Sequence, residues 1–140
     1  MTVEQTVLTL PPYPRGYHLI TEVVERQLSS AARVNRGIAH IMIMHTSAGL
    51  TLNENADPDV RDDFRTIFDQ LVPDGDSRYI HTIEGTDDMA AHLKSTITGA
   101  SVTVPMRDGR FFLGQWQGLY LCEFRNQGGP RRIAITILGE

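Results

Sequence analysis

The sequence predicts an α+β protein in which antiparallel strands dominate the carboxyl-terminal half. Two amphipathic segments with helical spacing lie in the middle of the chain, and four short apolar runs separated by turn signals follow them. No linker, repeat or low-complexity tract interrupts this pattern, so we expect a single domain over residues 1–140. A chain of this length can bury roughly two-thirds of its unfolded surface, which is enough for a hydrophobic core.

The amino-terminal third is expected to form two strands and one short helix. β-Branched and apolar residues favour a strand over residues 2–10, which Pro11, Pro12 and Gly16 then end. Val23, Val24 and Leu28 are spaced for one buried helix face. These signals predict a helix over residues 21–32, capped by Thr21, and a strand over residues 38–46.

The central part is expected to be mainly helical. Asp57 followed by Pro58 is typical of a helix start, and the apolar residues after it recur at helical spacing as far as Leu71. A short strand over residues 79–83 leads to a second helix, which begins at residue 86 or 87, extends to residue 97 and ends before Gly99.

The remainder is expected to be a β meander. Asp108-Gly109 is a strong hairpin signal, and a longer glycine-rich turn covers residues 126–130. The predicted strands cover residues 102–106, 110–113, 119–124 and 132–138.

Composition and charge exclude several classes of protein. The net charge of −4 and the pI near 5.7 argue against a nucleic-acid-binding module. The longest apolar run, residues 38–44, is too short to span a bilayer, and the amino terminus lacks the features of a signal peptide. The single cysteine, Cys122, cannot form an internal disulfide, so we expect a cytoplasmic protein.

Residues 45–57 are interpreted as a functional loop between a strand and a helix. The segment contains an imidazole, hydroxyls, amides and carboxylates, which together can serve acid–base chemistry and hydrogen bonding. Its candidate site residues are His45, Ser47, Asn53, Glu54 and Asn55. Two alternatives stay open: His45 is a structural histidine with a buried partner, and Asp57 is primarily a helix cap.

A second group of candidates lies between His81 and His92. Asp88 and His92 are i, i+4 neighbours on the predicted helix, where a carboxylate can orient a metal-binding imidazole. His45, His81 and His92 are therefore predicted as metal ligands, although their spacing matches no compact zinc signature. Imidazoles suit zinc, nickel or iron, whereas a carboxylate set suits magnesium. Surface pairing at a helix start and acid–base chemistry without a metal remain alternatives.

A third segment contains Trp116 between Gly114 and Gly118, with Gln115 and Gln117 on the opposite face of an extended chain. An aromatic ring flanked by glycines can cover a ligand that approaches the backbone closely. The alternative is a bulge with Trp116 as core filler. Cys122 is expected to be a buried, unreactive thiol.

Three long motifs carry a resemblance to a known family. They are HTSAGLTLNENADPDV, EGTDDMAAHLKSTITG and LGQWQGLYLCEF, followed by RRIAITILGE. Together they resemble the YjbQ family, whose members are commonly labelled as having secondary thiamine-phosphate synthase activity. The resemblance implies a β-sandwich of two sheets, a homotrimer, and a pocket near subunit boundaries. By matching position, it implies a polar core of His45, Glu54, Glu84, Asp88 and His92.

Three functional hypotheses follow. The first is a transferase that joins a pyrimidine diphosphate to a thiazole phosphate, with magnesium held by Glu54, Glu84 and Asp88, and with His45 or His92 relaying a proton. The second is a metal-dependent hydrolase or lyase of a small molecule, and the third is a non-catalytic trimer that binds a metal or ligand. The catalytic candidates are His45, Glu54, Asp88 and His92. The substrate-binding candidates are Ser47, Asn53, Asn55, Glu84, Lys94, Trp116 and Gln117, with Arg107 and Arg110 as further cations for a diphosphate.

Overall fold

A computed structural model describes all 140 residues and contains eight strands and three helices. The strands are β1 (Thr2–Leu10), β2 (Gly16–Leu19), β3 (Arg36–Ile43), β4 (Ala48–Glu54), β5 (Ser101–Arg107), β6 (Arg110–Phe111), β7 (Gln117–Glu123) and β8 (Arg131–Gly139). The helices are α1 (Thr21–Arg26), α2 (Asp59–Leu71) and α3 (Asp88–Thr98).

The strands form two sheets in which every pairing is antiparallel. The larger sheet has the order β1-β8-β3-β5-β6, and the smaller has the order β2-β7-β4. One apolar core contains side chains from both sheets, among them Ile41 and Ile135 from the larger and Leu50 and Leu119 from the smaller. The predicted α+β class and two-sheet sandwich are therefore confirmed.

Side-chain alternation decides which face of each strand is buried. In β3, Ala39 and Ile41 point into the core, whereas Ile38 and Met42 are 44% and 39% exposed on the outer face. The outer face of the smaller sheet is covered by helices instead. Tyr17 of β2 lies against Phe64 of α2, with 5.4 Å between the ring centroids, and Ala91 of α3 packs on Tyr120 and Cys122 of β7.

The segment predicted as a functional loop contains a strand. Ala48, Leu50 and Leu52 join the core, while Thr51 and Asn53 alternate onto the outer face of β4. The polar outer face obscured this alternation in the sequence. The interpretation of residues 45–57 as one loop was therefore wrong, because residues 48–54 pair with β7 along their whole length.

The first predicted helix is shorter than expected. It ends at Arg26 rather than near Ala32, because Ser29 Oγ accepts the Ala32 amide and supports a separate turn. Thr21 does not cap it; its hydroxyl accepts the Leu119 amide of β7 instead. β2 was not predicted, since the prolines before it and Gly16, its first residue, indicated only a break.

The two central helices agree well with their predicted bounds. At the start of α2, Pro58 occupies the N-cap position. The carboxylate of Asp57, the residue before it, accepts a hydrogen bond from the Asp59 amide at 2.9 Å. Residues 79–83 do not form the predicted strand and pair with no neighbouring strand. None of the three helices combines the length and apolar character that a membrane span needs.

The predicted Asp-Gly hairpin is present in the β meander. Asp108 and Gly109 both have positive φ, 50° and 78°, as a two-residue turn of this kind requires. The following strand, β6, ends at Phe111 rather than Leu113.

A buried ion pair joins β7 to β8. Arg131 donates from Nε and Nη2 to the two carboxylate oxygens of Glu123, at 2.7 and 2.5 Å, and both side chains are at most 5% exposed. Arg131 also donates to the Ser47 carbonyl, and Glu123 accepts the Arg125 amide at 3.2 Å. A Cβ on Gly128 would overlap Glu123 Oε1, so this turn closes directly over the carboxylate. The Glu123–Arg131 pair therefore fixes the backbone position of the turn that joins β7 to β8.

Candidate functional site

His81, Asp88 and His92 form a compact group, here called the His–Asp–His cluster. The Nε2 atoms of His81 and His92 lie 2.7 and 3.0 Å from the same oxygen, Asp88 Oδ2. One potential ligand atom from each residue lies within 4.8 Å of the others. Asp88 is buried, whereas the two imidazoles are 41% and 31% exposed, so the cluster opens to solvent on its histidine side.

The cluster forms where the first turn of α3 lies beside the connection between β3 and β4. Asp88 and His92 are one helical turn apart, as their i, i+4 spacing predicted. His92 Nδ1 lies 2.8 Å from the Thr46 carbonyl oxygen, in the connection between β3 and β4. His81 reaches the same carboxylate from the loop between α2 and α3.

The tautomer of His92 follows from its backbone contact. A carbonyl oxygen only accepts hydrogen bonds, so His92 Nδ1 carries a proton. In the neutral ring, Nε2 then presents its lone pair to a carboxylate oxygen 3.0 Å away. Two acceptors at that distance repel each other unless a proton or a cation lies between them.

Arg125 holds the buried carboxylate of the cluster. Its Nη1 donates to Asp88 Oδ1 at 2.7 Å, its Nε donates to Asp87 Oδ2 at 2.9 Å, and its Nη2 donates to the Glu84 carbonyl. Burial alone would raise the pKa of Asp88. The hydrogen bond from His81 and the charges of His92 and Arg125 outweigh this effect and lower the pKa below its usual value, so the carboxylate is ionised at neutral pH.

Sequence reasoning missed Arg125 as a site residue. It lies between the predicted strand at residues 119–124 and the glycine-rich turn at residues 126–130, and no role was assigned to it. Two adjacent acids opening α3, Asp87 and Asp88, were the available sign that a cation lies nearby.

His45 does not join the cluster. Its Nε2 accepts the Arg132 amide at 2.8 Å, so the neutral ring carries its proton on Nδ1 and has no lone pair left for a metal. Burial and the charge of Arg131 lower the pKa of His45, which favours this neutral form. The group of potential metal ligands thus contains Asp88 with His81 and His92, and not the predicted third histidine.

Several other candidates lie at the opposite end of β4. Glu54 pairs with Gln117 there, whereas Ala48 pairs with Glu123 at the end near the cluster. β4 has 7 residues, and at about 3.3 Å per residue its ends are roughly 20 Å apart. The expected meeting of Glu54 with the residues of α3 therefore does not occur within one chain. The candidates at this far end are Asn53, Glu54, Asn55, Trp116 and Gln117.

Ser47 and Lys94 are buried and already occupied. Lys94 is 1% exposed and donates to Asp69 at 2.5 Å, so the substrate phosphate expected for it has no access. Ser47 lies beneath the Arg131 side chain, which binds its carbonyl. Arg107 and Arg110, the other cations considered for a diphosphate, flank the hairpin between β5 and β6.

Cys122 is a buried thiol with a raised pKa. Burial in the layer between β7 and α3 raises the pKa to about 12, so the thiolate is not formed near neutral pH. The prediction that Cys122 is buried is confirmed.

Comparisons with known proteins agree with the resemblance. The family model for UPF0047 protein YjbQ-like proteins matches residues 6–140. UPF0047 protein YjbQ of Salmonella typhimurium is 48% identical over 136 residues, which cover 97% of this chain and 98% of that protein. UPF0047 protein YugU of Bacillus subtilis is 46% identical over 112 residues, covering 80% of each chain.

Solved structures give the same result for the fold. The conserved hypothetical protein TT1486 from Thermus thermophilus has a TM-score of 0.83 at 32% identity, covering 95% of this chain and 99% of that one. A YbjQ-like protein of unknown function, SSO2532 from Sulfolobus solfataricus P2, has a TM-score of 0.84 at 25% identity and covers 99% of both chains. The chain belongs to the UPF0047 YjbQ-like family.

Proposed function

We propose that the His–Asp–His cluster binds a divalent transition metal ion and that the protein uses it to hydrolyse a small-molecule substrate. The observation that carries this proposal is the convergence of two imidazole Nε2 atoms, from His81 and His92, on Asp88 Oδ2 at 2.7 and 3.0 Å. A cation bound there uses the lone pairs of both rings and of the carboxylate. The Nδ1 atom of His92 is held by a backbone carbonyl, which is a usual partner for metal-binding histidines.

The donor set suits zinc better than magnesium. Two imidazoles and one carboxylate form a common catalytic zinc set, with a fourth position open. In tetrahedral zinc, ligand atoms at 2.0–2.1 Å from the metal are about 3.3 Å from one another. The distances of 2.7 and 3.0 Å from Asp88 Oδ2 need to lengthen by only a few tenths of an ångström. The exposed imidazole side leaves room for a substrate.

Each surrounding residue has a defined part in this proposal. His81, Asp88 and His92 would hold the metal, which would lower the pKa of a coordinated water molecule. Arg125 and Thr46 hold Asp88 and His92 in place. Glu84 is assigned as the general base, because its side chain is exposed in the loop between His81 and Asp88 and its backbone carbonyl accepts from the same Arg125 that holds Asp88.

Replacing Glu84 with glutamine tests the hydrolytic reaction. We expect zinc-loaded wild-type protein to hydrolyse at least one compound in a panel of esters, amides and phosphates. Glu84→Gln should lower kcat by about 100-fold or more while zinc affinity, measured by calorimetry, stays unchanged. His45→Ala is the matched control and should retain both properties. If the zinc-loaded protein turns over no compound, the site is a binding site and the hydrolase proposal fails.

The thiamine-phosphate synthase reaction is the second candidate. The feature in its favour is the open side of the cluster, where diphosphate oxygens can reach a bound metal. Within one chain, however, Asp88 is the only carboxylate in the cluster, whereas magnesium is usually held by several oxygen ligands. Lys94, the expected phosphate partner, is buried and paired with Asp69. Including the pyrimidine diphosphate and the thiazole phosphate in the same panel distinguishes the two candidates, since only the transferase forms thiamine phosphate from both.

We also propose that the protein acts in the cytoplasm as a homotrimer, as the family resemblance implies. Ile80 and Ile83 flank His81 and are 98% and 90% exposed, which is unusual for isoleucine outside an interface. A neighbouring subunit that covers them also encloses one side of the cluster.

Charged substitutions at these two isoleucines test the assembly. We expect wild-type protein to have the mass of a trimer in light scattering, and Ile80→Asp with Ile83→Asp to dissociate it, because burying two carboxylates costs several kcal/mol each. Ile67→Asp, a matched change on the exposed face of α2, should leave the trimer intact. A wild-type protein that is monomeric at all concentrations contradicts the proposal.

A further inference from the structure

A cavity lies at the far end of β4 from the His–Asp–His cluster. Its volume is about 540 Å³, within the range of small-molecule sites. Leu19 and Val23 supply apolar surface, Asn55 and Gln117 supply amide groups, and Thr21 and the Glu22–Arg26 ion pair line the remainder. The two sites are separated by the length of β4, roughly 20 Å, so a small ligand bound here has no contact with the cluster.

Backbone contacts fix the orientation of both amides. Asn55 Nδ2 donates to the carbonyls of Gln115 and Gln117, both at 3.0 Å, so its Oδ1 remains as a free acceptor. Gln117 Oε1 accepts the Gly114 amide at 2.8 Å, so its Nε2 remains as a free donor. Each oxygen and nitrogen assignment follows from a backbone partner and cannot be reversed without losing that bond.

Three residues that line the cavity, Leu19, Thr21 and Asn55, pack around Gly118. A Cβ at Gly118 would lie 2.5 Å from Leu19 Cδ2 and 3.2 Å from Asn55 Cβ. The absence of a side chain therefore allows Leu19 and Asn55 to pack against the β7 backbone. Trp116, the only tryptophan, is 59% exposed next to Gln117, and its carbonyl accepts the Asn55 amide.

We propose that this cavity binds a planar nitrogen heterocycle that carries an amino group beside an unprotonated ring nitrogen, as in cytosine or adenine. The amino group donates to Asn55 Oδ1, and the ring nitrogen accepts from Gln117 Nε2. The donor and acceptor groups of Asn and Gln side-chain amides discriminate heterocycle edges in protein–nucleic acid recognition. Leu19 and Val23 supply the apolar surface against which the ring packs. This site does not depend on a metal at the cluster or on the proposed hydrolytic reaction.

Cytidine and uridine provide the direct test, because their edges present opposite donor and acceptor patterns. Binding is measured by calorimetry and by changes in Trp116 fluorescence, at nucleoside concentrations up to about 1 mM. We expect cytidine to bind at least about fivefold more tightly than uridine. Equal affinities, or no heat and no fluorescence change with cytidine and adenosine, overturn the proposal.

Gln117→Glu tests the donor itself. The substitution keeps an oxygen for the Gly114 amide and replaces the free donor with an acceptor. We expect cytidine affinity to fall at least about fivefold, with no change in zinc affinity at the cluster. Gln115→Glu makes the same charge change at an exposed side chain outside the cavity and should bind cytidine as wild type does. Equal losses in the two variants mean that charge alone acts, and they overturn the assignment.

Discussion

Asp88→Asn is expected to remove metal binding while leaving a folded protein. Asp88 Oδ2 is the only atom within hydrogen-bonding distance of both cluster imidazoles. An asparagine that keeps its oxygen toward Arg125 turns its NH₂ group toward His81 and His92, where it cannot act as a ligand. Loss of outer partners alone costs about 10- to 100-fold in metal affinity, so losing the central ligand should cost more than about 100-fold. Zinc calorimetry on the apo protein measures this change.

Asp87→Asn is the matched control for that experiment. Asp87 accepts from the same arginine and from the Asn126 amide, but it is not part of the cluster. We expect it to lower the stability of the start of α3 and to retain zinc affinity within about 100-fold, as an outer partner should. An Asp88→Asn protein that binds zinc as tightly as wild type would falsify the metal assignment.

Arg131→Met is expected to cause the largest loss of stability among single side-chain replacements at the β7–β8 junction. It leaves Glu123, which is 0% exposed, without the guanidinium that accompanies it in the interior. Removing one partner of a buried pair typically costs about 3–5 kcal/mol, because the remaining charge is stranded. The free energy of unfolding in urea, with the circular dichroism signal as the probe, measures the loss.

Arg132→Met changes the adjacent arginine, whose side chain is exposed and whose hydrogen bonds, to His45 and Met44, are made by backbone groups. Its stability should stay within about 0.5 kcal/mol of wild type. Combining Glu123→Leu with Arg131→Met should recover much of the lost stability, since replacing both charges removes the stranded carboxylate. Equal stability of Arg131→Met and wild type would show that the pair is not buried in solution.

Local signals in the sequence were sufficient to predict the elements that have regularly spaced apolar residues or a distinctive turn. The spacing of apolar residues gave α2 almost to the residue, and Asp108-Gly109 gave the hairpin, because each depends on nearby residues alone. β4 was missed because its outer face is polar beneath the helices, a property that depends on the tertiary arrangement. The end of α1 depended on a serine hydroxyl bond that competes with the helix.

The candidate site was predicted where its residues share one helix. The Asp88–His92 pair followed from i, i+4 spacing, whereas Arg125 comes from 37 residues away and gave no local signal. His45 was placed in the cluster by residue type, but its lone pair is taken by the Arg132 amide. Hydrogen-bond partners across the chain decide such roles, and residue type and spacing do not encode them directly.

The polar segment that joins the two candidate sites is a strand with one face in the core, and this restricts how its length can change in evolution. Adding or removing one residue within β4 would exchange the faces of every later side chain, moving Leu50 or Leu52 out of the core and Thr51 into it. Thr46, which holds His92, and Asn55, which lines the distant cavity, lie on either side of the strand. Insertions and deletions should therefore accumulate in other parts of the chain, and the interval between Thr46 and Asn55 should keep a constant length among homologues.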